Sequence, residues 1–371
     1  MSKKLYYLPL EPYIERYTSM MSCVNGWAED HFKKNGVDFV RIDGEQLSTG
    51  INAGKVLDCF GRSYYAMSQI MKVTKLLQDG TITDDDVIYV EDFWHPGIES
   101  LFYIRAIAER KFKIGTFMHA QSVDDSDFCW ALRDWMRPIE QGFAKQYDYI
   151  FVTSPILKQL CLDAGVGADE NIHMVFGLQY NSTRLLEQLV SIGFDKNYKK
   201  EDYVIFSSRF DDEKNPMFFL DVVEACPDIQ FRLVNPRKTI SYNPEVVERL
   251  YSIINRENSN LQIIDTSKNK IDYYTALAKA KVQLNTARQD FFSWTAIEAS
   301  HFECLPLYPK HKDFPMVFRN DERYLYNNEN LDDCVTKLNK LMATGLAGDT
   351  SYVVEQCDQT WSTYLKIMGL I

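Results

Sequence analysis

Apolar, β-rich runs alternate with amphipathic stretches along most of the 371 residues, and this alternation constrains the fold more than any other feature. It is typical of parallel sheets whose strands are joined by crossover helices. In the first half we predict strands at residues 5–8, 38–42, 87–90, 113–118, 149–152 and 172–175. In the second half we predict strands at residues 203–207, 230–234, 261–265, 280–285 and 305–308. The chain is therefore expected to have an α/β fold.

The strand pattern stops and restarts, which indicates two domains. Residues 191–202 are polar, have no apolar periodicity and are predicted to be a linker. We expect an N-terminal domain over 1–190, a second domain over 203–350 and a C-terminal helix over 351–371 that could pack back on the first domain. At this length, with 46% hydrophobic residues, the chain can bury two cores. Ligands of such sheets bind at the carboxyl ends of the strands.

Composition narrows the functional classes. No run of about 18 apolar residues occurs, and the first residues lead directly into a predicted strand, so we expect a cytoplasmic protein without membrane contact. The eight cysteines are scattered singly and are expected to be reduced thiols. The formal net charge of −11 disfavours a protein coated in nucleic acid, although a local basic groove stays possible.

The first informative motif is the loop after the predicted strand at 203–207. Arg209 and Lys214 lie in this loop, and a helix is expected to begin after Asn215 and Pro216. Two fixed cations can neutralise the charge that develops on a departing diphosphate, each through a charge-assisted hydrogen bond of roughly 1.5–3 kcal/mol. The alternative is that both are solvated loop cations, which is the usual state of charged loop residues.

The second motif spans residues 290–298 and carries two carboxylates. Asp290 and Glu298 are separated by seven residues, and Ser293 between them is a predicted helix N-cap. A helix N-terminus in this position could bind an anion through its backbone N–H groups. The alternative is that Asp290 is an ordinary acidic residue near a helix start and Glu298 an exposed helix residue.

Together the two motifs resemble the nucleotide-binding domain of GT-B glycosyltransferases, in particular the large family-4-like retaining group. This resemblance implies two Rossmann-like domains facing a central cleft, and a nucleotide diphosphate sugar donor, usually a UDP-sugar. It implies that Arg209 and Lys214 hold the diphosphate, Glu298 binds the ribose and Asp290 faces the sugar. Further donor contacts are expected from Ser293, Trp294, Thr295, Thr266 and Ser267.

The chain departs from the family pattern between the two carboxylates. The first carboxylate is an aspartate, one methylene shorter than the usual glutamate, and bulky Phe291, Phe292 and Trp294 replace the glycine-rich loop. No metal is expected, because the two cations and the helix N-terminus would stabilise the leaving group. The resemblance also implies retention of anomeric configuration, and the sugar is left open.

The first half carries a fainter resemblance. A strand that ends in His119 occurs in the same group, where the histidine lies beside the donor sugar; a satisfied core histidine is the alternative. Residues 8–18 and 91–97 resemble motifs of tailed-phage glycosyltransferases that modify hydroxymethylated pyrimidines in DNA, with glucosyl and arabinosyl transferases as the known types. This implies 5-hydroxymethylcytosine in phage DNA as acceptor, and as acceptor-side candidates Glu11, Arg16, Tyr17, Thr18, Trp94 and His95.

Three functions stay open from the sequence. The first is glycosyl transfer to hydroxymethylated DNA, which would need basic residues near the cleft, with candidates that include Arg105, Arg110, Lys113, Lys200 and Lys310. The second is transfer to a surface glycan or lipid-linked sugar, or a nucleotide-sugar epimerase. The third is an inactive nucleotide-binding or DNA-binding module that keeps the fold. Oligomeric state cannot be read from the sequence.

Overall fold

The computed structural model describes residues 3–11, 26–47, 59–235, 240–266, 270–288, 290–344 and 349–371. The strands are β1 (Lys4–Leu8), β2 (Asp38–Arg41), β3 (Val87–Val90), β4 (Lys113–Phe117), β5 (Tyr149–Val152), β6 (Ile172–Met174), β7 (Glu201–Phe206), β8 (Gln230–Asn235), β9 (Leu261–Asp265), β10 (Ala280–Leu284), β11 (Leu305–Pro309) and β12 (Leu325–Tyr326).

The α-helices alternate with these strands. They are α1 (Trp27–Lys34), α2 (Cys59–Gln78), α3 (Glu99–Ile107), α4 (Arg133–Ala144), α5 (Pro155–Asp163), α6 (Ser182–Ser191), α7 (Pro216–Ala225), α8 (Pro244–Ile254), α9 (Lys270–Lys279), α10 (Trp294–His301), α11 (Phe314–Val317), α12 (Leu331–Ala343), α13 (Ser351–Asp358) and α14 (Thr360–Ile367). The predicted α/β class and all eleven predicted strands are confirmed within two residues at each end. The twelfth strand, β12, has only two residues, too few to show a period in the sequence.

The chain divides into two compact units. The first contains Met1–Asn181 and Asp358–Ile371, and the second contains Ser182–Cys357. This division differs from the predicted boundaries, because α6 groups with the second unit and β7 begins inside the predicted linker. Residues 182–190 were expected in the first domain, whereas α6, with Leu185 and Leu189 buried, groups with the second unit.

The N-terminal unit contains a six-stranded parallel sheet in the order β2-β1-β3-β4-β5-β6. Its C-terminal helix α14 completes the core, because Trp361 meets the rings of Tyr7, Phe32 and Tyr89 at centroid distances of 5.0–5.9 Å. Tyr364 stacks on Phe151 of strand β5 at 3.9 Å. These buried aromatic rings explain why the last residues of the chain fold with the first unit.

The C-terminal unit contains a second six-stranded parallel sheet in the order β12-β11-β10-β7-β8-β9. The chain runs outward from β7 to β9 on one side, then returns to β10 and continues to β12 on the other. The strand order therefore reverses between β7 and β10, and a crevice forms at the carboxyl ends of two such strands. In the N-terminal sheet the reversal lies between β1 and β3.

Candidate functional site

The loop after β7 is held in place by a residue that follows β10. Residues 212–214 form one turn of 3-10 helix, and Asn215 has a left-handed backbone (φ 51°) as the N-cap of α7. The Thr286 hydroxyl donates to the backbone carbonyls of Lys214 (2.7 Å) and Asn215 (3.1 Å). The carboxyl ends of the two neighbouring strands are thereby tied together at the strand-order reversal.

Lys214 and Asp290, two of the residues to which the resemblance assigns donor contacts, lie close together at this point. Lys214 Nζ lies 3.2 Å from Asp290 Oδ1, and the lysine side chain is only 9% exposed. A cation with so little water around it acts more strongly on a nearby anion than a surface lysine does. Lys214 is therefore the cation in this loop that is best placed to face a phosphate group.

Arg209 is arranged differently. Its guanidinium donates to Glu213 Oε1 at 2.6 Å and lies 3.6 Å from Asp211, and its side chain is 46% exposed. Both partners are in its own loop. They fix the orientation of the guanidinium, which stays accessible to water. Water weakens the interaction of such a group with any anion.

The start of α10 follows Asp290. Ser293 is the N-cap residue, as predicted, with an extended backbone. Among the described residues its side chain caps no helix N–H; its hydroxyl instead pairs with Thr295 Oγ1 at 2.8 Å. Thr295 in turn lies 3.4 Å from the hydroxyl of buried Tyr308 on β11. The first-turn N–H groups of α10 can therefore serve an anion beside Lys214.

Glu298, one turn further along α10, is held by two tyrosines of α9. Tyr273 donates to Glu298 Oε2 at 2.5 Å and Tyr274 donates to Oε1 at 2.7 Å. Burial raises the pKa of Glu298, while the two tyrosine hydrogen bonds and Lys270 oppose the rise. Burial and the facing Glu298 carboxylate raise the pKa of Tyr273 well above its usual range. The carboxylate is a fixed acceptor with lone pairs left for ligand hydroxyls.

The tyrosine pair was missed by sequence reasoning. Tyr273 and Tyr274 lie 25 and 24 residues before Glu298 in the chain. Nothing in their local sequence marks them as partners of a carboxylate. Thr266, proposed for the base, is buried at the end of β9, and Ser267 lies outside the described residues.

On the N-terminal unit, the predicted acceptor residues fall into two groups. Glu11 is fully buried and receives a hydrogen bond from Arg62 (2.8 Å), which also bonds Asp92 at 3.0 Å. His95 is 2% exposed and donates from Nε2 to Gln69 Oε1 at 3.0 Å.

Burial, together with the nearby Arg62 charge, lowers the pKa of His95 to about 3. Glu11 and His95 are therefore held by hydrogen bonds at the carboxyl edge of the sheet, and their contact with the acceptor stays a prediction. Arg16, Tyr17 and Thr18 lie outside the described residues.

Trp94 and His119 stay at the surface of this unit. The Trp94 indole N–H donates to Glu140 Oε1 at 2.8 Å, and its ring stacks on Trp135 at 5.4 Å with an interplanar angle of 24°. Glu140 is fully buried and also accepts from Ser122. His119, two residues after β4, is partly exposed and packs edge-on against Phe117 at 4.6 Å. The stacked indole pair is an aromatic platform, and Trp135 is 60% exposed.

The basic residues expected near a DNA acceptor are already engaged. Arg105 and Lys113 both bond Asp148, Arg110 bonds Asp84, and Lys310 bonds Glu322. Lys200 donates to the backbone carbonyls of Ala280 (2.9 Å) and Phe302 (2.6 Å). These five candidates are therefore ion-paired or hydrogen-bonded, and a basic surface for DNA stays a prediction.

Within the part of the chain that the structure describes, no group of three His, Cys, Asp or Glu residues is arranged to hold a metal ion. Within the same part, no helix has the length and apolar character that a membrane crossing requires.

The fold is similar to that of several solved structures. No protein-family model matches the chain. An α,α-trehalose-phosphate synthase (UDP-forming) from Burkholderia vietnamiensis matches with a TM-score of 0.65 over 100% of this chain and 99% of its own, at 13% identity. A glycosyltransferase from Rickettsia africae matches with a TM-score of 0.58 over 99% of this chain and 98% of its own, at 12% identity.

A third structure, S. aureus TarM in complex with ligands that include UDP, has a TM-score of 0.54 at 15% identity. The match covers 83% of this chain and 57% of TarM, so the chain spans little more than half of that relative. With two parallel Rossmann-like sheets in these orders, the chain has the GT-B fold. The predicted fold class is confirmed.

Proposed function

We propose that the chain is a nucleotide-sugar-dependent glycosyltransferase whose C-terminal unit binds the donor. The observation that carries this proposal is the cluster at the reversal between β7 and β10. There the structure puts Lys214 beside Asp290 at 3.2 Å and presents Glu298 on the following helix. The UDP named with the trehalose-phosphate synthase and with TarM supports a UDP-sugar as donor.

The donor would extend along α10. Glu298 would accept hydrogen bonds from the ribose hydroxyls, with its carboxylate oriented by the tyrosine pair. The diphosphate would lie against Lys214, Arg209 and the N-terminus of α10, and Asp290 would face the sugar. The buried Thr266 hydroxyl, which has no hydrogen-bond partner among the described residues, lies at the end of β9 on the side proposed for the base.

Leaving-group stabilisation is the main task of these residues. When the acceptor hydroxyl attacks the anomeric carbon, the bond to the diphosphate breaks and negative charge grows on the departing nucleoside diphosphate, which takes up the acceptor's proton. Lys214 and the N-terminus of α10 would stabilise that charge. Fixed hydrogen-bond donors stabilise a developing charge most strongly where water is excluded. Retention of configuration is part of the proposal and is supported by the family resemblance.

For the acceptor, we propose 5-hydroxymethylcytosine in DNA, with glucose or arabinose as the transferred sugar. Support comes from the motif resemblance of residues 8–18 and 91–97 and from the platform of Trp94 and Trp135, since exposed indoles stack on bases of any sequence. A base carrying the hydroxyl would be turned out of the helix to reach the platform. His119 would lie on the sugar side.

A glycan or lipid-linked sugar is the second candidate acceptor. The ion pairs of Arg105, Arg110, Lys113 and Lys310 favour it, because those cations are already neutralised by neighbouring carboxylates. Indole platforms also stack on sugar rings, so Trp94 and Trp135 fit either acceptor.

The test is release of free nucleoside diphosphate from a panel of nucleotide sugars, with and without DNA that contains 5-hydroxymethylcytosine. Mass analysis of the digested DNA follows. A sugar mass on the modified base, with release dependent on that DNA, establishes donor and acceptor together. Release unaffected by DNA supports the glycan acceptor, and no release from any donor supports an inactive binding module.

We also propose a cytoplasmic location. Six of the described cysteines, Cys59, Cys129, Cys161, Cys226, Cys304 and Cys334, are free thiols, and five of these six are buried. Unpaired buried cysteines are the normal state in a reducing compartment. The location would be tested by fractionating cells that express the chain and assaying it in the soluble cytoplasmic fraction.

A further inference from the structure

The outer face of α2 carries a continuous line of large apolar side chains. Phe60, Tyr64, Met67 and Met71 are 75%, 44%, 54% and 65% exposed. Their spacing of four, three and four residues places them within an arc of about 60° along about 16 Å of helix. We call these four residues the α2 stripe.

Exposure of this kind is unusual for a helix that also has a well-packed inner face. The buried side of α2 is formed by Tyr65, Ala66, Ile70, Val73 and Leu77. A surface helix normally turns polar side chains to water opposite such a face. The α2 stripe therefore gives the helix a second apolar face that the described residues of the N-terminal unit do not cover.

The neighbouring helix α3, which packs against α2, also exposes apolar side chains: Tyr103 and Ile107, one turn apart, are 66% and 68% exposed. With about 200 Å² for each fully exposed side chain of this size, the four residues of the α2 stripe expose about 480 Å². Two copies paired along the stripe would bury about 950 Å² in all, which is the size of a small, reversible protein interface.

We propose that the α2 stripe is the interface between two copies of this chain. An antiparallel helix pair around a twofold axis at the level of residues 65 and 66 puts Phe60 opposite Met71 of the partner subunit and Tyr64 opposite Met67 of the partner subunit. Each aromatic ring then faces a methionine, and each contact occurs twice. Sulfur–aromatic contacts are favourable, and a twofold interface needs such self-complementarity.

The charge of the chain favours a second copy over a membrane surface as the partner of the α2 stripe. The four side chains of the stripe carry no charge at neutral pH, and the nearest carboxylate is Glu45, whose Oε2 accepts from the Tyr64 hydroxyl at 3.3 Å. The chain as a whole has a net charge of −11, which opposes adsorption to anionic lipid. A second copy is therefore the occupant that the stripe fits best.

The test is sedimentation of the full chain over a wide range of micromolar concentrations. The wild type is expected to show a reversible dimer. Met67→Glu places a charge in the centre of the interface twice, and the dimer dissociation constant should rise on the order of 100-fold. Met316→Glu on α11, where the methionine is 40% exposed, is the matched control and should leave the dimer unchanged.

A second variant tests the register. Because Tyr64 faces Met67 of the partner subunit, Tyr64→Lys combined with Met67→Glu creates two ion pairs across the interface and should restore most of the dimer. A wild-type monomer at every concentration would overturn the proposal, as would a dimer that Met67→Glu leaves intact. Binding of a monomeric wild type to anionic vesicles, lost in Met67→Glu, would also overturn it and assign the stripe to lipid.

Discussion

Replacing Lys214 by glutamine should slow sugar transfer far more than replacing Arg209 does. Lys214 is 9% exposed and fixed beside Asp290, so its charge acts on the departing diphosphate with little screening. Loss of one such donor costs about 10²–10³ in turnover. Arg209 is 46% exposed and bound to Glu213, so its loss should cost only about tenfold.

The stability of the Lys214 variant should fall modestly. Asp290 keeps 21% of its side chain in water, so loss of its partner should lower the free energy of unfolding by about 1–2 kcal/mol. Lys281→Gln is the matched control, because Lys281 is also ion-paired in this unit, to Asp202, but lies on β10 away from the loop. Its turnover should equal that of the wild type.

The assay is steady-state release of nucleoside diphosphate with thermal unfolding measured on the same preparations. A Lys214→Gln variant that folds and keeps at least half of the wild-type turnover would refute the placement of the diphosphate. An equal loss in Lys281→Gln would show that the effect is one of stability rather than of leaving-group stabilisation.

Three further predictions follow from buried polar groups. Tyr273→Phe removes a 2.5 Å hydrogen bond to Glu298, worth about 1.5–3 kcal/mol, so KM for the nucleotide sugar should rise at least about tenfold with kcat little changed; a kcat loss at constant KM would argue against this role. Burial raises the pKa of Glu91 to about 8, from 4.5, so its stabilising effect is full below pH 4.5 and is lost as pH rises through 8. Denaturant unfolding at several pH values should therefore show Glu91→Gln more stable than the wild type at pH 9, by up to about 5 kcal/mol, with the difference vanishing at acidic pH; a constant difference would contradict this. Arg62→Met leaves the carboxylate of Glu11 buried without its 2.8 Å partner, so the free energy of unfolding should fall by about 3–5 kcal/mol, and an unchanged denaturation midpoint would contradict the pairing.

The sequence predicted the sheets well because buried parallel strands leave a strong local signal. Strands such as β3 and β7 are short apolar runs between polar loops, and this pattern survives whatever packs against them. β12 left no such signal because it has two residues. The unit boundary was harder to predict, since α6 and its polar neighbours give no sign of which core will bury Leu185 and Leu189.

The candidate site was predicted in part. Motif order indicated Lys214 and Asp290, which the fold brings together because β7 and β10 are neighbours in the sheet. The tyrosine partners of Glu298 come from another helix, and such contacts depend on tertiary packing. The sequence predicted that Glu11 would project from the sheet toward a ligand. It is instead buried against Arg62, which lies 51 residues away in the chain and could not be identified as its partner from local sequence.

The α2 stripe could not be predicted for a similar reason. Helix α2 carries apolar residues on all sides and buries Arg62 and Gln69 on its inner face, so the sequence has no clear polar side. Hydrophobic periodicity identifies a buried face only when the opposite face is polar. Only the packing of the unit shows which apolar residues remain in water.

The most direct test of the donor site is calorimetric titration of the purified chain with UDP. The account predicts one site per chain for the wild type, and at least about tenfold weaker binding for Glu298→Gln, because the neutral amide replaces a carboxylate that accepts the ribose hydrogen bonds. Glu355→Gln, an exposed glutamate of α13, should bind UDP like the wild type. Absence of UDP binding, or equal affinity in the wild type and Glu298→Gln, would contradict a nucleotide site at the reversal between β7 and β10.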